Sequence, residues 1–350
     1  MTNAALLARL SELSSAVALT KATFDAVLDD LAAGVADLAA DVQADARPGL
    51  WTDGPVLRRK SGAAVVLRGV ESFYGDDAAS NPTLWVAQQT AFGANSVAPL
   101  VQNSQFTIPR LTALLDATAA AGVVLGLNFD ALTVPGSNPV VYNGRARALA
   151  PDVVALVNSY DHVFLELEDE TGWPQTEAAW VADVNGLVAA LRGAGHVHPI
   201  KVGSPFGGRY FRHAVNAGAQ VLAADPLHKV LFTFQAYVRA PNPGGWDFLD
   251  EINAIPYLAS DPTGCLRVVA ALVASGLCFC VGLDHTDDVG VTVWAVLGPL
   301  LHAAGVSWQW WVWANGGDVN ALFYPGSGWN YATGTTTATG AAVAAAGLFS

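Results

Sequence analysis

Hydrophobic positions follow two regimes along the chain. Leu6, Leu10, Leu13, Val17, Thr20, Phe24, Val27 and Leu31 recur in alternating steps of four and three. That spacing is a heptad seam; it stutters at Gly34/Val35 and resumes through Leu38 and Val42. Outside the seam the segment is mainly Ala, Ser, Asp and Thr, with no second apolar face. The pattern predicts a helical coiled-coil stem over residues 1–46, whose seam from Leu6 to Val42 runs about 55 Å along one helix. The competing reading is a helix packed on its own domain. Mixed β-branched, Leu and Phe seam positions fit three strands as well as two, and a homotrimer is the expectation. Arg47-Pro48-Gly49 stops the helix and opens a linker over 47–55.

From residue 56 to 350 the pattern becomes strand, loop, helix, repeated. Strands are predicted at Ala63–Val70, Ser96–Leu100, Val123–Asn128, Val163–Glu168, Ile200–Val202, Val230–Gln235, Cys278–Leu283 and Val306–Trp313. Helices are predicted at Ile108–Ala120, Thr176–Leu191, Arg209–Leu222, Leu266–Ala274 and Val289–Ala303. Gly93, Gly122, Gly276 and Gly305 stand where helices should stop. This rhythm is that of an α/β protein of the (β/α)8 TIM barrel class, whose chemistry sits at the C-terminal ends of its strands.

One strand is chemically unusual. His162–Trp173 reads HVFLELEDETGW, so Glu166, Glu168 and Glu170 share one face at period two. Crowded carboxylates repel, and at least one keeps its proton to high pH unless cations pair them. Such a face suits a polar cavity at a barrel mouth; the plain alternative is a salt-bridged or solvated strand end.

Composition narrows the partners. Of 350 residues 52% are hydrophobic, enough for a sizeable core. The formal charge of −13 and the lack of a basic cluster argue against nucleic acid and anionic membrane. The N-terminus has no basic flank followed by a continuous apolar core, so no signal peptide is expected, and no run reaches membrane-spanning length. Cys265, Cys278 and Cys280 read as buried small hydrophobes: the latter two share one strand face, which cannot bridge them. Asp284-His285 beside Asp287 and Asp288 lacks calcium-loop spacing, and His162 and His285 read as structural. Neither a metal nor a cofactor is expected, and phosphate-binding glycine fingerprints are absent.

The head resembles the clan A glycoside hydrolases, in particular the family 5 cellulase and mannanase group, over roughly residues 56–325. Ser61-Gly62 with Ala63–Val70 resembles that family's opening strand, and Gly93–Val97 its second. Phe164–Glu170 (FLELEDE) resembles the fourth, which ends in Asn-Glu; Glu170 then takes the acid/base place and Asp169 the Asn place. Phe232–Tyr237 (FTFQAY) resembles the sixth, with Tyr237 matching and Gln235 where His is usual. Val306–Trp313 resembles the Trp-ending eighth.

Departures fall on the chemistry. Glu71 replaces an Asn, Ala98 an Arg, and Asp130 a third-strand His. The seventh strand, which in the family ends in a nucleophilic Glu, reads Val281-Gly282-Leu283-Asp284-His285, with Leu283 at the nucleophile place. Asp284 could serve only if its side chain turned from wall to lumen.

Aromatic residues gather where a sugar would lie. Trp173 and Trp246 are predicted in loops at the active face, and Trp311 and Trp313 on the eighth strand; two of the tryptophans among 308, 310, 311 and 313 should be structural. With Glu168, Asp169, Asp130, Gln235 and Tyr237 these form the expected carbohydrate-binding set. Stem and head together predict a phage tail fibre or receptor-binding protein, a homotrimer located in the virion and binding a cell-surface glycan, with hydrolysis weak or lost. The alternatives are an active endo-β-glycosidase using Glu170 and Asp284, cytoplasmic if not a virion component, and a purely structural virion subunit.

Overall fold

The computed structural model describes residues 9, 11–15, 17–31, 49–74, 80–101, 107–129, 144–166, 176–205, 208, 211–236, 262–283, 294–311, 322–326 and 330–349. The chain divides into two units, Met1–Arg47 and Pro48–Ser350.

In the first unit residues 17–31 are helical. Lys21 Nζ meets Asp25 Oδ2 at 2.7 Å, the usual i,i+4 spacing on a helix surface. Of the predicted seam, Leu13, Val17, Thr20, Phe24, Val27 and Leu31 are described, and all are exposed.

The second unit opens with an antiparallel meander: β1 (Trp51–Asp53), β2 (Val56–Arg58) and β3 (Ala64–Val65). Residues 51–55, expected as linker, carry its first strand and turn. Eight parallel strands follow: β4 (Arg68–Tyr74), β5 (Ser96–Val101), β6 (Val124–Asn128), β7 (Val163–Glu166), β8 (Ile200–Gly203), the pair β9 (Val230–Thr233) and β10 (Gln235–Ala236), β11 (Cys280–Leu283) and β12 (Ser307–Trp311). Only Phe234 interrupts β9 and β10, which are two halves of one strand. Their ladder order is β10-β11-β12-β4-β5-β6-β7-β8-β9. Phe232 N–H donates to Cys278 O at 2.9 Å and Gly282 N–H to Phe234 O at 2.8 Å, which closes the sheet into a barrel. From residue 96 onward the predicted strands agree with these to within about two residues.

The first barrel strand is displaced from its prediction. The apolar run 63–70 divides: Ala64 and Val65 pair with β2, while the barrel strand starts at Arg68 and runs through Glu71 and Ser72. Polar residues occur there because alternate positions point into a polar lumen, which hides the strand from a hydrophobicity reading.

Helices at Ile108–Ala121, Glu177–Gly193, Arg212–Ala224, Pro262–Ala274 and Trp294–Ala303 match expected ones. Those at Pro82–Phe92, Pro151–Asn158 and Ala338–Ala345 were not read from the sequence. Gly93, Gly122, Gly276 and Gly305 all have positive φ, the left-handed conformation that ends a helix cheaply only at glycine.

Two apolar layers define the inside and outside of the barrel wall. Val70, Val97, Leu125, Leu165, Val202, Phe232, Val281, Leu283, Trp308 and Trp310 belong to the core between sheet and helices. Leu67, Val124, Phe164, Leu231, Cys278 and Cys280 form a separate cluster in the lumen, where Leu50, Leu57 and Val65 of the meander join them. These lumen residues stand near the strand starts, so the meander plugs the N-terminal end and leaves the C-terminal end for chemistry. All three cysteines are buried and free. Among the described residues no helix is long and apolar enough to cross a membrane.

Candidate functional site

Above the apolar lumen cluster the strands present a polar layer. Glu71 on β4, Glu166 on β7, Lys201 on β8 and Gln309 on β12 are each 0–1% exposed. Lys201 Nζ is the hub. It donates to Glu71 Oε1 at 2.8 Å, to Glu166 Oε2 at 3.0 Å and to Gln309 Oε1 at 2.7 Å, and lies 2.8 Å from Glu166 Oε1. One ammonium thus spans the lumen and ties four strands together. Strand alternation puts these four side chains here: Glu71 follows Leu67 and Gly69, Glu166 follows Phe164, and Gln309 lies between the outward-turned Trp308 and Trp310. Cys280 Sγ approaches Gln309 Oε1 at 3.6 Å.

Charge and burial compete at Glu166. Burial drives its carboxyl up to about 7; the Lys201 cation opposes the rise and the Glu71 carboxylate adds to it. Burial likewise pushes the Cys278 thiol up to about 12 and the Cys280 thiol higher still, so neither is a thiolate at neutral pH.

Glu71 is in register with Ala98 on one side and Trp311 on the other. Ala98 stands where the resemblance leads one to expect an arginine. The cation of this layer comes instead from Lys201, across the lumen. Trp311 ends β12 on the lumen parity of Gln309 and is half-buried. Trp308 and Trp310 face outward, packing edge-on against Phe349 and Trp294 with ring centroids 4.8 and 5.5 Å apart. The expected division of these tryptophans into structural and lumen-side residues therefore holds for the three described.

Gln235 is buried on the lumen side, its amide oxygen against Gly282, where even a methyl group would collide with it. Leu283 does not face the lumen. It packs in the helix-side core, 3.6 Å from where a Cβ at Gly298 would lie. Inward positions on this strand are 278, 280 and 282. Of the expected site residues, Asp130, Glu168, Asp169, Glu170, Trp173, Tyr237, Trp246, Asp284 and Trp313 lie outside the described residues.

Lys201 and Gln309 were missed by sequence reading, and Glu71 was noted only as a departure from Asn. Their signals were present: a lone lysine inside the strand IKVG, and a glutamine between bulky aromatic residues. A buried cation at mid-strand calls for carboxylate partners.

A second polar cluster lies among the segments that lead into β8 and β9. Arg192 pairs with Asp225 and donates to the carbonyls of His196 and His198 at 2.9 and 2.8 Å. Buried His198 reaches Val157 O at 3.0 Å, and burial lowers its imidazole to about 3. Polar groups at the N-terminal ends of barrel strands serve stability.

No family model matches the chain. A mannan endo-1,4-beta-mannosidase of Streptomyces lividans is 26% identical over 275 residues, covering 75% of this chain and 65% of that protein. Among solved structures, the β-mannanase of Streptomyces thermolilacinus with mannohexaose superposes with a TM-score of 0.68 at 19% identity, over 86% of this chain and 94% of that one. The catalytic domain of a mannanase from Streptomyces sp. SirexAA-E gives 0.67 at 18%, over 85% and 89%. The catalytic domain of an endoglucanase from Thermobifida fusca gives 0.61 at 15%, over 88% and 99%. At these identities the structural likeness establishes the (β/α)8 fold.

Proposed function

We propose that the barrel binds a β-linked glycan of mannan type at the mouth formed by the C-terminal ends of its strands. The observation that carries this reading is the juxtaposition of Trp311 and Glu71 at that end of the lumen. An indole offers a flat apolar surface to the apolar face of a pyranose ring, and neighbouring carboxylates and amides take the hydroxyls. The sequence likeness to a mannan-degrading enzyme supports mannan as the first polymer to try. Glu168, Asp169, Trp173, Asp130, Tyr237, Trp246 and Trp313 complete the proposed contact set.

Hydrolysis is the second reading, and the outward turn of Leu283 constrains it. Leu283, at the place where the family carries its nucleophile, packs in the helix-side core, so a working enzyme needs its second carboxylate from another residue. Asp284 is then the proposed nucleophile and Glu170 the acid. Glu170 would protonate the leaving oxygen while Asp284 bonds to the anomeric carbon. Water would release the sugar in a second step, its proton going to Glu170. This needs the two carboxyl groups roughly 5–5.5 Å apart.

For the setting we propose the head of a trimeric, virion-borne receptor-binding protein, with residues 1–46 as the self-associating stem. Its support is the exposed heptad seam, where Val17, Phe24 and Leu31 are 62–63% exposed on the helix. Trimerisation would turn weak sugar contacts into avidity.

Incubating the protein with mannohexaose, mannan and β-glucans, and scoring binding and reducing-end release separately, tests both readings of the head. Release abolished by Glu170→Gln and by Asp284→Asn makes it an enzyme; binding without release makes it a receptor-type lectin; neither sinks the glycan reading. The mass in solution of the intact chain against one lacking residues 1–45 tests the stem, and two monomers would end that part.

A further inference from the structure

The lumen layer holds more charge than a packing role requires. Two carboxylates and one ammonium are enclosed together, and a buried pair or triad of this kind is commonly no more stable than apolar residues of equal volume. Among the described residues, the groups facing Glu166 are Lys201 from β8, Glu71 from β4 and Cys280 from β11, with the uncharged Gln309 from β12 and, in register with Glu166, Asn128 from β6. With both glutamates ionised the layer carries one net negative charge; with one protonated it is neutral.

We propose that the Lys201–Glu71–Glu166 cluster is a proton-binding site beneath the mouth, which takes up a proton when a sugar covers Trp311. Lys201 is its positioning residue: it holds both carboxylates within 3 Å of one nitrogen, so the charge on Glu71 bears directly on Glu166. The proton goes to Glu166, the carboxyl that burial has raised into the neutral range. Coupling to the mouth has a physical route. Glu71 adjoins Trp311 in the ladder, and Glu166 ends β7, two and four residues before Glu168 and Glu170 in the sequence. An uncharged sugar on Trp311 displaces water from above the layer and lowers the local dielectric. That penalises the net negative form and favours the neutral one. Binding therefore draws in a proton and tightens as pH falls through neutrality. This inference rests on the glycan reading of the mouth, but its proton site does not.

Two measurements on the full chain separate those parts. Carboxyl-carbon NMR of protein labelled at the glutamate side chain should show one titration with a midpoint in the neutral range, absent in Glu166→Gln. In Glu71→Gln, which also serves if the first variant fails to fold, the same midpoint should fall by about one unit as the like charge disappears. Glutamates that all titrate in the ordinary acidic range would overturn the proposal. Calorimetry with mannohexaose, in two buffers of different ionisation heat, should show uptake of about 0.3 proton per ligand near pH 7. Affinity should rise roughly threefold from pH 8 to pH 6, and both effects should vanish in Glu166→Gln. Binding with no proton uptake overturns the coupling. No binding, with the neutral titration present, sinks the glycan reading and leaves the proton site standing.

Discussion

Arg192 and Asp225 meet through a two-pronged pair, Nε to Oδ1 at 2.8 Å and Nη2 to Oδ2 at 2.9 Å, with the carboxylate fully enclosed. The same carboxylate accepts from the backbone N–H groups of Leu227 and Lys229, so one side chain anchors the turn leading into β9. Asp225→Ala should cost about 3–5 kcal/mol in chemical denaturation, because it leaves a buried guanidinium without its counter-charge. A loss under about 1 kcal/mol would mean that water or another group takes over.

Lys201 presents the converse case, a cation whose removal strands two acids. Lys201→Met should destabilise the fold by about 3–5 kcal/mol in urea unfolding. Adding Glu71→Gln and Glu166→Gln to it should recover much of that loss, since the buried charge goes with its partner. If the triple variant is no more stable than the single one, lost packing rather than charge is the cause.

Stability should depend on pH from both sides. Glu166 has its carboxyl raised to about 7, so its contribution is complete below its ordinary value and is lost as pH rises through about 7. His198, lowered to about 3, acts in the opposite sense: its contribution is complete above the ordinary histidine value and is lost as pH falls toward about 3. Burial lowers His162 and His196 in the same direction. The melting temperature should peak in mildly acidic buffer. Glu166→Gln should flatten the alkaline side alone, and an unchanged alkaline slope would contradict this assignment.

Adjacent tryptophans should behave differently. Trp310→Ala removes a ring packed against Trp294 in the core and should cost about 3–5 kcal/mol of stability. Trp311→Ala should leave the melting temperature nearly unchanged and weaken mannohexaose binding by about 1–3 kcal/mol. Reversal of the two phenotypes would place the sugar elsewhere.

The barrel was legible in the sequence because strands such as Val124–Asn128 and Val230–Thr233 are buried on both faces and read as continuous apolar runs. Glu71 and Lys201 were harder to place, since each looks like a local fault in a strand until the other, 130 residues away, is set beside it. Leu283 shows a related limit. Matching it to a family position fixed its place in the chain but not its side of the wall, which depends on how Val281 and Cys280 alternate. The helix Pro82–Phe92 escaped because its apolar residues form no clean stripe, although Asn81 caps Leu84 N–H and Pro82 opens the first turn.

Closure of this barrel joins its first strand to its last. Gly69 is ladder partner to Gln309, Leu67 N–H is bonded to Ser307 Oγ, and the Phe349 backbone lies against Gly93. During synthesis β4 emerges more than two hundred residues before the edge it needs, at roughly 5–20 residues per second. For that interval a strand carrying Glu71 waits with one flank bare, and for the first 130 residues of it also without the lysine that pairs with Glu71. Contacts of such long sequence separation form slowly. The eighth strand is therefore the natural rate-limiting piece, and a ribosome stalled before residue 307 holds an open sheet that a chaperone must cover.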